Sequence, residues 1–105
     1  MDGSRLEKLK KSFEANPHDA FTRYLLALEC VKLKLNEEAI HHFQMLVNEH
    51  PQYVATYYQY AQLLENLNRQ TAAIAIYQAG MKAARTAGDA HTASEIQAAL
   101  DLLTC

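Results

Sequence analysis

The chain has 105 residues, 50% of them hydrophobic, and ten Lys and Arg against twelve Asp and Glu leave a formal net charge of −2. A chain of this length fits one domain that buries roughly two-thirds of its unfolded surface, so it can fold without disulfide or metal staples. No cluster of four or more Lys or Arg occurs, which removes the phosphate-neutralising source of nucleic-acid binding, and no run reaches the ~18 apolar residues of a membrane span.

The first predicted element is a helix over 4–16. Ser4 with Glu7 forms a capping box, Leu6, Leu9 and Phe13 follow at helical spacing, and Asn16 and Pro17 stop the run. Asp19 then caps a second helix reaching about Leu35, with Tyr24, Leu28 and Val31 on one flank and Leu26, Ala27, Cys30 and Leu33 on the other. Asn36 with Glu37 and Glu38 suits the positive end of a third helix, which turns Ile40, Phe43, Leu46 and Val47 inward and ends at His50 before Pro51. A second hairpin follows, outward from about Tyr53 to Leu67 and back from about Thr71 to Ala87, where Gly88 stops the helix and Asp89 caps the next. The sixth helix carries a single apolar stripe, Ala93, Ile96, Ala99, Leu100 and Leu103, as a terminal capping helix requires.

Pro17 and Pro51 stand 34 residues apart, and the same shift superposes Thr22 on Thr56, Tyr24 on Tyr58, Ala27 on Ala61, Leu33 on Leu67, Ala39 on Ala73, Ile40 on Ile74 and Gln44 on Gln78. A fixed period of this length marks stacked helical hairpins, none of which buries its apolar face alone. The expectation is an all-α chain, 1–105 as one domain. Two 34-residue helix-turn-helix units at 17–50 and 51–84 are flanked by the N-terminal helix at 4–16 and a capping helix at 88–103.

These residues resemble the tetratricopeptide repeat: small residues at Ala27 and Ala39, an aromatic at Phe43 and a closing proline at Pro51, repeated as Ala61, Ala73 and Tyr77. The resemblance implies a right-handed α-solenoid. The small residues would let the helices of a hairpin approach closely, and the aromatic would fill the space between hairpins. Three departures are visible. Arg23 and Tyr57 stand where the family favours Trp, the hairpin turns lack the usual Gly, and Arg85 replaces the expected third proline, so the last return helix should run on. The combination looks like short stand-alone bacterial members of the family.

In that family the outgoing helices line a concave groove that binds other proteins. The resemblance carries this role to Phe21, Tyr24, Leu28 and Lys32 in the first unit and to Tyr58, Gln62 and Glu65 in the second. Tyr24 and Leu28 stand where members that grip acidic chaperone tails carry Lys and Asn, so that ligand is not expected. A peptide or amphipathic helix with apolar anchors fits better, and the alternative is a homodimer or larger assembly through the same apolar surface.

Catalysis is not expected. Cys30 falls on a core flank, and three glycines supply no phosphate loop or nucleophile elbow. Glu37–His41 and Glu38–His42 have the i, i+4 spacing of a metal pair but lack further ligands, so an exposed helix face is the preferred reading. Neither metal nor cofactor is predicted. Cys30 and Cys105 have no motif spacing, no Asn-x-Ser/Thr acceptor exists, and Met1–Arg5 lacks an apolar leader, which together point to a reducing, cytoplasmic setting.

Overall fold

The computed structural model describes the backbone of residues 2–104 and the side chains of residues 5–104. The described residues form six α-helices and no strand: α1 Asp2–Ala15, α2 Ala20–Lys32, α3 Asn36–Glu49, α4 Ala55–Asn66, α5 Gln70–Ala87 and α6 Ala90–Thr104. They divide into two compact units, Met1–His50 and Pro51–Cys105.

Helix starts are chemically uneven. Asp19 caps α2, its carboxylate accepting from Thr22 N–H at 3.1 Å and Thr22 Oγ1 at 2.5 Å. Asp89 does the same for α6, accepting from Thr92 N–H at 3.1 Å and Thr92 Oγ1 at 2.7 Å. These bonds hold both carboxyls below the usual carboxylate range, Thr22 being the main cause at Asp19 and Thr92 at Asp89. At α4 the residue three before Thr56 is Tyr53, and Thr56 Oγ1 is fully buried with no partner. Lacking a carboxylate, the chain enters α4 through tight i to i−3 bonds, Thr56 N–H to Tyr53 O and Tyr57 N–H to Val54 O, each 3.3 Å.

One expected start, that of α1, differs, whereas α3 begins at Asn36 with Glu37 and Glu38 in its first turn as expected. α1 is already helical at Asp2, so Ser4 is not its cap, and Ser4's side chain lies outside the described residues. α3 takes Leu35 as its N-cap without a side-chain bond, and Asn36 is its first residue.

The ends of α2, α4 and α5 are alike. Lys34 (φ 61°), Asn68 (φ 61°) and Gly88 (φ 71°) all adopt the left-handed conformation. The following amide reaches back across the turn in each case: Leu35 to Cys30 O, Arg69 to Leu64 O and Asp89 to Ala84 O, all 2.8 Å. This backbone closure is the Schellman type. It ends α2 at Lys32, earlier than the apolar pattern suggested, and α4 at Asn66. With no proline at Arg85, α5 runs 18 residues against 14 for α3.

In the first unit α2 packs against α1 and α3. Ala27 and Ala39 are fully buried, as are Phe43, Leu46 and Cys30. In the second unit α4 and α6 both pack on α5. Ala61, Tyr77, Met81 and Ile96 form its central cluster, with Ile76, Ala99, Leu100 and Leu103 packed against it. Gly80 makes this three-helix contact possible, since a Cβ there would meet Tyr57 Cβ at 2.5 Å and Ile96 Cδ1 at 3.0 Å.

Candidate partner-binding faces

On α2, Phe21 is 55% exposed, Tyr24 and Leu28 are half-buried, and Lys32 is exposed. Their spacing of i, i+3, i+7 and i+11 sets them in one stripe along the helix. An exposed Phe at the head of an apolar stripe departs from the rest of this unit, where large apolar side chains turn inward.

On α4, Tyr58, Gln62 and Glu65 are half-buried, and a side chain from α5 orders them. The Tyr77 hydroxyl donates to Glu65 Oε2 and accepts from Gln62 Nε2 at 3.4 Å, while the Tyr58 ring stands edge-on to Tyr77 with centroids 6.1 Å apart. Burial and the Glu65 bond push the Tyr77 phenol well above its usual range, so it stays a donor. A carboxylate and an amide tied to one buried phenol lose little rotamer freedom when a partner arrives. Tyr58 also packs against the central cluster of its unit. The hydroxyl of Tyr77 was not legible as an organiser, because the apolar pattern accounts for its ring alone.

Polar burial in the first unit was missed in the same way. Arg23 is only 8% exposed, its guanidinium carbon 4.4 Å above the Phe13 ring and Nη1 3.2 Å from His42 Nδ1. Phe13 and His42 meet edge-on at 5.9 Å. Glu29, 4% exposed, takes Arg5 Nε on Oε1 at 3.1 Å and leaves Oε2 unpartnered. These contacts fasten α1 to α2 and α3.

They also correct the reading of the Glu/His pairs as one exposed face. His41 is exposed, but His42 is half-buried and lowered to about 4 by burial, by Arg23 and by His41. A ring whose Nδ1 already accepts from an arginine cation is a poor place for a metal cation. Among the described residues no three His, Cys, Asp or Glu gather at metal-binding distance. Cys30 is buried, points its thiol at Glu38 Oε2 (3.9 Å) and is pushed up by burial and Glu38, which suppresses thiolate chemistry. No described helix is long and apolar enough to cross a membrane.

An open pocket of about 570 Å³ in the second unit is lined by Pro51, Gln52, Tyr57, Ala79, Lys82, Ala83, Thr86 and Ala87. Tyr57 donates its hydroxyl to Pro51 O at 2.5 Å beside it.

Among solved structures the chain is similar to a tetratricopeptide repeat domain protein from Salinibacter ruber, studied in solution, with 40% identity over 84% of this chain and 89% of that one and a TM-score of 0.80. The chain belongs to the tetratricopeptide repeat family. A crystal structure of the tetratricopeptide repeat domain protein of Salinibacter ruber matches at 40% identity over 82% of this chain and 96% of that one, with a TM-score of 0.77. A Bordetella parapertussis protein shares the fold at 19% identity, a TM-score of 0.81, and coverage of 94% and 86% of the two chains. No family model and no curated protein sequence matches the chain. Tetratricopeptide repeats are in general protein-interaction scaffolds, and that general role comes with the family.

Proposed function

We propose that this tetratricopeptide chain is a non-catalytic, cytoplasmic scaffold that binds a peptide or helix segment of another protein in the concave groove lined by its outgoing helices. Residues 17–50 and 51–84 act as its two repeats within one domain. Phe21, Tyr24, Leu28 and Lys32 serve on α2, and Tyr58, Gln62 and Glu65 on α4. The observation that carries this reading is Phe21, 55% exposed at the head of the stripe that Tyr24 and Leu28 continue. Aromatic anchors of this kind concentrate binding energy when a partner covers them. The Tyr77-held pair of Gln62 and Glu65 adds hydrogen-bonding groups whose orientation is already set.

Selection from a displayed random-peptide library tests this. Peptides taken by the wild type should lose roughly tenfold or more in affinity against a Phe21→Ser/Tyr24→Ser variant whose circular dichroism is unchanged. Failure to select any peptide, or equal binding by the variant, defeats the reading. A wild type that dimerises where the variant does not would instead assign the stripe to self-assembly.

A further inference from the structure

We propose that the pocket on α5 receives Leu102 from a second copy of this chain, with Asp101 of that copy set against Lys82. The pocket is open, apolar and of a size that suits specific occupants, about 570 Å³. Ala79, Ala83 and Ala87, one turn apart along α5, line it together with Tyr57 and Pro51, and Lys82 is its one charged lining residue. The long α5 creates it, since Thr86 and Ala87 belong to the turn that a proline at Arg85 would have prevented.

The occupant is argued from the other end of the same unit. Leu102, in the last turn of α6, is 86% exposed, more than the other exposed large hydrophobic, Phe21 at 55%. Ile96, Leu100 and Leu103 turn into the cluster shared with α5, and Leu102 is not among them. Its neighbour Asp101 is exposed, steadied by Gln97 Nε2 donating to Oδ1 at 2.8 Å. The chain thus presents an apolar knob beside a carboxylate and an apolar hole beside an ammonium. Its own α6 packs on α5 through Gly80 and Met81, not through the alanine strip.

One leucine and its flanks bury less than a standard interface, so a single contact is weak. Each copy supplies one knob and one hole, and a closed two-fold pair makes both contacts at once. Tyr58, Gln62 and Glu65, the stripe on α4, do not line this pocket.

Sedimentation equilibrium on the full chain, with reductant and from ~10 μM to ~1 mM, tests this in the range expected of small interfaces. The wild type should show a concentration-dependent dimer. Leu102→Ser should weaken it tenfold or more, and Lys82→Glu should weaken it less. Lys82→Glu/Asp101→Lys, which restores the opposite charges, should recover most of the Lys82→Glu loss. All of these positions are exposed, and thermal melts of each variant separate lost association from lost folding. A wild type that stays monomeric throughout overturns the proposal, as does a dimer whose affinity Leu102→Ser leaves unchanged. Saturable binding of sodium octanoate by a monomeric wild type would overturn it in favour of a small amphiphile.

Discussion

Gly80 and Tyr57 approach so closely that a methyl group on Gly80 would lie 2.5 Å from Tyr57 Cβ. A Cβ cannot rotate aside, so Gly80→Ala forces α4 and α5 apart. Overpacking costs roughly 1–3 kcal/mol, which outweighs the roughly 0.8–1 kcal/mol that alanine gains over glycine inside a helix. Gly80→Ala should therefore lower the melting temperature by several degrees, read by circular dichroism at 222 nm.

Thr56 and Thr22 occupy equivalent positions but should respond oppositely to valine. Thr22→Val removes a hydroxyl that donates to Asp19 and should cost about 1 kcal/mol, whereas Thr56→Val removes a buried hydroxyl with no partner and should leave stability unchanged or raise it by about 1 kcal/mol. Urea titrations of the two variants check the opposite signs. Equal losses would mean that the Thr56 hydroxyl is satisfied in solution.

Lys34 takes a positive φ that a lysine adopts at a cost of roughly 1 kcal/mol. Lys34→Gly relieves it but adds freedom to the unfolded chain, leaving a net gain of about 0.5 kcal/mol. Asn68→Gly should gain less, since asparagine tolerates this conformation. Paired melts of the two variants check the order.

His42 makes stability depend on pH through a depressed basic group. Its folded value is about 4 against 6.5 for a free ring, so below pH 6.5 the unfolded chain takes up a proton that the folded chain refuses. Stability is therefore full above pH 6.5 and falls as pH drops toward 4. Allowing for its half-buried position, the loss across that window is about 1–2 kcal/mol. His42→Gln should flatten this slope in urea titrations at successive pH values. The carboxyls of Asp19 and Asp89, lowered by their threonine bonds, withdraw their contribution in a separate window, as pH falls below 3.8.

The helices were legible because apolar spacing and punctuation agree. Asp19, Asp89 and Gly88 each act as their residue types predict, and Ala27, Ala39, Ala61 and Ala73 are all fully buried. What stayed hidden are contacts between residues far apart in sequence that pattern treats as surface. Arg23 stands where the family favours Trp, but its enclosure by Phe13 and His42 is not written in the pattern, nor is the burial of Glu29 against Arg5. The pocket beside Lys82 depends on where α5 turns its alanines, which periodicity does not specify. Of the residues proposed to face a partner, sequence named Tyr58, Gln62 and Glu65 but not the Tyr77 hydroxyl that joins the last two.

That hydroxyl gives the molecule an optical property. The chain has six tyrosines and no tryptophan, so its near-ultraviolet signal is a tyrosine signal. Tyr77 is buried and donates its hydroxyl proton to the Glu65 carboxylate, so it resists ionisation, and burial raises Tyr57 as well. In an alkaline titration of absorbance these two phenols, both in the second unit, ionise above the usual phenol range until that unit opens. The second unit thus carries its own chromophore for unfolding, without a label.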